Sequence, residues 1–207
     1  MKITVISDTH SLHRQFNQLE GDVLIHCGDM FNLWDKDPSQ ITELDEWFSR
    51  QKFDLILCTG GNHDHALEDY IQQNANPFKH AVFLQDASYQ YKGVNFYGAP
   101  WVPDLSSHAF YQSSRDLVTK WSQIPVETDV LITHTPPSGI LDRSSRGLEL
   151  GCEFLSRELI RVAPKLHCFG HVHASPGMLK QGRTTYINAS SVNSQIELVR
   201  KPLVFEI

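Results

Sequence analysis

Short apolar runs recur along the chain, each closed by a polar cluster, and their lengths decide what they are. Lys2–Ile6, Asp22–His26, Asp54–Cys58, Asp129–Thr133 and Leu166–Phe169 are nearly continuous in apolar residues and only four or five residues long. That is the signature of strands covered on both faces rather than of amphipathic helices. Helical periodicity falls between them. Asp37-Pro38 supplies a cap and a first-turn proline, after which Ile41, Leu44, Trp47 and Phe48 line one helical face. Ser107–Gln123 and Leu150–Val162 are predicted as two further helices, the second closing before Pro164. Ala81–Leu84, Tyr89–Lys92 and Val94–Tyr97 turning at Gly93 read as a meander. Met178–Lys180, Thr184–Asn188 and Leu203–Ile207 continue that pattern in the last part of the chain. Alternating strands and helices define an α/β layered domain. No internal repeat, low-complexity stretch or Gly/Ser linker interrupts residues 1–207, which are expected to form a single domain.

Composition narrows the classes of function. The hydrophobic fraction of 41% supports a sizeable core and argues against disorder. A formal net charge of −6 gives no electrostatic footprint for broad nucleic-acid binding. No run reaches the ~20 apolar residues of a membrane span, and Asp8 arrives before a signal-peptide core could form. The expected location is therefore the cytoplasm. Its four cysteines, Cys27, Cys58, Cys152 and Cys168, include no Cys-x-x-Cys pair and are expected to be reduced thiols.

The histidines change the picture. Each of the five apolar strands runs straight into residues able to ligate a metal. The first ends in Asp8-Thr9-His10, the second in Gly28-Asp29 and the third in Gly61-Asn62-His63-Asp64. The fourth ends in His134 and the fifth in Gly170-His171-Val172-His173. Loops at the carboxyl ends of strands converge in layered α/β folds, so five coincidences at one edge describe one site. Asp8, His10, Asp29, Asn62, His134, His171 and His173 together offer two carboxylates, an amide oxygen and four imidazoles. Such a thiolate-free N/O set suits Mn, Fe, Zn or Ni better than a structural zinc knot or a calcium cage. A carboxylate such as Asp29 can bridge two cations ~3.5–4 Å apart, a spacing that activates water and clamps a phosphoryl group.

These motifs resemble the calcineurin-like metallophosphoesterase superfamily. Gly98-Ala99-Pro100-Trp101, Thr133-His134-Thr135-Pro136-Pro137 and Tyr186-Ile187-Asn188-Ala189-Ser190 are further similar to its small metallophosphoesterase-domain phosphodiesterase subfamily. The resemblance implies a four-layer αββα sandwich of two mixed sheets flanked by helices. It implies that Asp8, His10 and His173 bind one metal, that Asn62, His134 and His171 bind a second, and that Asp29 bridges them. His63 would then protonate the leaving oxygen or steady the transition state, with Asp64 orienting it. The implied reaction is in-line attack on phosphorus by a hydroxide held between the metals.

Substrate contacts are sought in the neighbouring loops. Arg143 and Arg146 could fork onto a phosphate, Trp34 and Trp101 could stack on a ring, and Asn188 could line the cavity. The expected function is hydrolysis of small phosphodiesters, cyclic nucleotides among them. A phosphomonoesterase, a nuclease or a non-catalytic scaffold of the same fold are the rivals. The sequence leaves oligomeric state open.

Overall fold

The computed structural model describes residues 1–73 and 76–207. Among these, strands β1 (Lys2–Ile6), β2 (Val23–His26), β3 (Leu55–Cys58), β4 (Val82–Phe83) and β11 (Leu203–Glu206) form one sheet in the order β11-β1-β2-β3-β4. A second sheet has the order β5-β6-β7-β8-β10-β9, from β5 (Ala87–Tyr91), β6 (Val94–Ala99), β7 (Val130–Thr133), β8 (Leu166–Phe169), β9 (Gly177–Gln181) and β10 (Thr184–Asn188). Both sheets are mixed. Their central strands run parallel, whereas β11, β5 and β9 pair antiparallel at the edges.

Side-chain alternation explains how the layers stack. Ile3, Val5, Val23, Ile25, Cys27, Leu55 and Leu57 project from the first sheet onto Phe96, Val130, Ile132, Leu166, Cys168 and Ile187 of the second. The intervening positions face the helices. Leu24, Ile56 and Cys58 join Ile41, Leu44, Trp47 and Phe48 of α1 (Ser39–Arg50) and Leu67 of α2 (His65–Ile71). Leu131, Phe169 and Tyr186 pack with Leu117 and Trp121 of α3 (Ser114–Ser122) and Leu155, Leu159 and Val162 of α4 (Glu153–Val162). Strands buried on both faces are thus apolar at most positions, Thr4, His26, Thr133 and His167 excepted, which is why they read as nearly continuous runs.

Some boundaries differ from expectation for local reasons. The stretch 107–123 is helical only from Ser114, because Ser113 caps α3 by accepting Asp116 N–H while its hydroxyl donates to the Asp116 carboxylate. Residues before it are drawn into loop structure: Ala109 N–H donates to the Asn62 carbonyl at 3.1 Å and Phe110 N–H to Glu68 at 2.7 Å. Residues 150–152 likewise lie outside the helix, with Cys152 extended and bridging to Pro137 before α4 begins. The short helix α2 was not apparent in the sequence pattern, since its seven residues hold too little periodicity.

Candidate functional site

The parallel strands of both sheets end at one edge, and the sequence motifs meet there. Asp8 and His10 follow β1, Asp29 follows β2, Asn62 and His63 follow β3, His134 follows β7, and His171 and His173 follow β8. The local backbone is bent sharply to aim them. Asp8, His10, Asp29 and His171 all adopt left-handed conformations, with φ of 52°, 41°, 51° and 68°. Asp and His tolerate this region better than most residues, yet each such turn costs about 1 kcal/mol or more. A ladder between two loops holds the bends: Asp8 N–H to Gly28 O, His10 N–H to Asp29 O, and Ser11 N–H to Met30 O.

The donors fall into two groups that share a carboxylate. One ligand atom each from Asp8, His10, Asp29 and His173 lies within 4.8 Å of every other. Beside them, the Asn62 amide oxygen lies 3.0 Å from His134 Nε2 and 2.8 Å from His171 Nδ1. His134 Nε2 is in turn 3.4 Å from Asp29 Oδ1, so Asp29 borders both groups. Partners outside the cluster fix the rings: His10 Nδ1 faces the Phe31 carbonyl at 3.3 Å and His134 Nδ1 the Cys27 carbonyl at 2.8 Å. Each leaves Nε2 turned inward, the arrangement a ligating imidazole needs. His171 N–H also donates to the Asp8 carboxylate at 3.0 Å, joining the two sheets across the site.

Charge supports the same reading. Burial would raise the Asp8 and Asp29 carboxyls, but His173 beside Asp8 and His134 beside Asp29 drive both below the ordinary carboxylate range. Burial depresses His134, and Asp29, Asp8 and the Cys27 carbonyl outweigh it, bringing its pKa to about 9. His173 is also raised, its burial overcome by Asp8. His171 stays neutral, pushed by burial and by His134 to about 3. Buried carboxylates that recruit protons onto neighbouring imidazoles form a site suited to cations.

His63 stands beside the donors. Its N–H donates to Asp29 Oδ1 at 2.8 Å, its Nε2 lies 3.8 Å from Asp29 Oδ2, and its ring meets that of His10 edge-on at 4.7 Å. Its side chain is 21% exposed against 2% for Asp29, which places it at the mouth. Burial lowers its pKa despite Asp29.

Four expectations need correction or refinement. Asp64 does not touch the His63 ring, whose Nδ1 has no partner. Its carboxylate instead accepts Phe31 N–H at 3.0 Å and Gly61 N–H at 2.8 Å, tying the β2 and β3 loops together. Burial and the charge of Asp29 hold that carboxyl up at about 8 against the two amides. Trp101 is buried; its indole N–H donates to Asp86 at 2.6 Å and Lys120 sits 4.2 Å above its ring, so both its polar edge and one ring face are engaged within the fold. Asn188 is fully buried, and its amide donates to the Leu141 and Val172 carbonyls while accepting Ser190 N–H. It props the loop between His171 and His173 rather than lining the mouth. Arg143 is exposed and pairs with Glu149 at 3.2 Å, although its carbonyl accepts the Ser175 hydroxyl two residues beyond His173. Arg146 is exposed on the same loop.

Sequence reasoning missed two glycines by role. A Cβ on Gly61 would overlap the Asp29 carboxylate, and one on Gly170 would overlap Asp8 and Ser7. It also passed over His65 and His108, whose rings lie near Trp34 at 4.8 and 5.6 Å.

Among the described residues, two mixed sheets flanked by four α-helices, with N/O donors at the strand ends, define the metallo-dependent phosphatase class of fold. A family model described as calcineurin-like phosphoesterase matches residues 1–175, and the chain belongs to that family. It is 32% identical to human Metallophosphoesterase domain-containing protein 1 over 232 residues, spanning all of this chain and 71% of that protein. It is 34% identical to UPF0046 protein K07C11.7 of Caenorhabditis elegans, spanning all of this chain and 75% of the relative. One solved crystal structure superposes with a TM-score of 0.62 at 17% identity over 90% of this chain and 89% of its own. The chain is a metal-dependent phosphoesterase by family. No helix among the described residues is long and apolar enough to cross a membrane.

Proposed function

We propose that the protein is a two-metal phosphodiesterase acting on small diesters, cyclic nucleotides among them. The observation that carries this reading is the position of Asp29, a buried carboxylate bordering two donor groups with His63 alongside. Asp8, His10 and His173 would hold one divalent ion, Asn62, His134 and His171 the other, and Asp29 both. Ions so held would act as Lewis acids on the phosphoryl group and make water acidic enough to attack it near neutral pH.

The chain's own residues would do the rest. His63, anchored through its backbone to Asp29, would donate a proton to the leaving oxygen. Its depressed pKa makes the proton easy to surrender, and an arriving anionic ester would help restore it. Among the described residues no Lys or Arg side chain makes a hydrogen bond or ion pair with the seven donors. A monoanionic diester needs no further cation there, whereas a dianionic monoester would gain from one.

The test is reconstitution with each candidate metal, followed by metal analysis and turnover of bis-p-nitrophenyl phosphate, p-nitrophenyl phosphate and cyclic nucleotides. Two ions per chain and faster diester hydrolysis are expected. A tenfold preference for the monoester would make the protein a phosphomonoesterase.

A further inference from the structure

Beyond the mouth of the site a row of rings leads outward from His63. The His108 ring lies 6.4 Å from that of His63, and the Trp34 indole lies 5.6 Å from His108. The indole stacks on His65 at 4.8 Å with 16° between the planes. His65 is itself only 7% exposed and forms a firm base under the indole, whereas Trp34 is 57% exposed. A large ring seated on a buried partner and still more than half exposed is a platform open to a ligand. The backbone supports its placement: Trp34 has a φ of 65°, a region unfavourable for a bulky residue, within a turn closed by Asp35 N–H on the Asn32 carbonyl.

We propose that Trp34, backed by His65 and flanked by His108, is a stacking subsite for the nucleobase of a nucleoside esterified on the leaving-oxygen side. The inference rests on the phosphodiesterase reading and specifies its substrate class. With phosphorus at the donors and the leaving oxygen at His63, the ring spacing leaves room for a sugar beside His108 before a base reaches Trp34. A phenyl ester, with its ring directly next to phosphorus, would stop short. Stacking is tolerant of base identity, so purine and pyrimidine nucleosides would both be accepted.

Calorimetric titration of manganese-loaded protein with inorganic phosphate, ribose 5-phosphate, phenyl phosphate and AMP tests this without turnover. Wild type should bind AMP about ten- to a hundredfold more tightly than ribose 5-phosphate. Trp34→Ala should abolish that advantage and Trp34→Phe should retain most of it, with phosphate, ribose 5-phosphate and phenyl phosphate unaffected. The subsite is overturned if AMP has no advantage in wild type, if Trp34→Ala leaves that advantage intact, or if the substitution weakens all four ligands alike. An equal loss for phenyl phosphate and AMP overturns the nucleoside assignment. Failure of inorganic phosphate itself to bind would instead bring down the underlying two-metal phosphodiesterase reading.

Discussion

His63 and its neighbour Asn62 are adjacent in sequence but serve the site differently. The amide of Asn62 sits between two imidazoles, while the His63 ring faces the mouth with one nitrogen unpartnered. His63→Gln should therefore keep metal content near wild type while kcat falls by about 10²–10⁴, the usual worth of a positioned general acid. The deficit should be smaller for a p-nitrophenolate leaving group, which needs little protonation, than for a cyclic nucleotide that leaves as an alkoxide. Equal deficits would favour electrostatic stabilisation, and metal loss would make His63 a ligand. At this scale the sequence was most legible in which residues gather at the strand ends, because each follows an apolar run and residue type alone limits its chemistry. Asp64 was less legible. The family resemblance implied that it orients His63, but contacts to Phe31 and Gly61 amides exist only once two loops have been brought together.

Loops and helices carry the next level of organisation. The β8–β9 connection can pass close to β1 only because Gly170 has no side chain to strike Asp8 and Ser7. Gly170→Ala should push His171 and Asp8 apart and weaken metal affinity by about ten- to a hundredfold, the range found when the supports of ligands are disturbed. Titration with manganese would measure it; unchanged affinity would mean that the loop can shift freely. Strand existence was readable from continuous apolar runs, whereas helix limits were not. The start of α3 depends on a reciprocal cap at Ser113, while the preceding loop is held by Asn62 and Glu68, far away in sequence. No window of local sequence contains those partners.

For the whole molecule, buried neutral histidines set an acid limit. His26 and His167 lie at corresponding places on the outward faces of the two sheets, one meeting the Thr9 hydroxyl and the other that of Thr133. Burial lowers each to about 3 from an ordinary value of 6.5. Through these two groups the unfolded chain binds protons below pH 6.5 that the folded chain refuses, and their contribution to stability falls as pH drops from 6.5 towards 3. Each group would contribute up to about 1.4 kcal/mol per pH unit across that window. Thermal unfolding from pH 7 to 5 should show a declining Tm, with a shallower decline in His167→Gln. An equal slope in that variant would place the acid sensitivity elsewhere. The layered architecture itself was readable from strand and helix alternation, but the facing of Cys27 and Cys168 across the interior was not, since side-chain parity acquires meaning only after the sheets are paired.

The hydrogen bonds from His134 to the Cys27 carbonyl and from His171 to Asp8 pass between the two sheets. Cations at this seam would work as cross-braces, since ligands from β1 to β3 sit opposite ligands from β7 and β8. Loading would then be linked to cohesion of the sandwich: each ion at a hundred times its Kd would add about 2.7 kcal/mol to the native state. Chelation should make amide hydrogens at 6–10, 27–31 and 169–173 exchange faster than those of the outlying β9 edge. The catalytic cofactor would thus double as a mechanical fastener, and metal-starved protein would lose its grip at one end of the sandwich before it came apart.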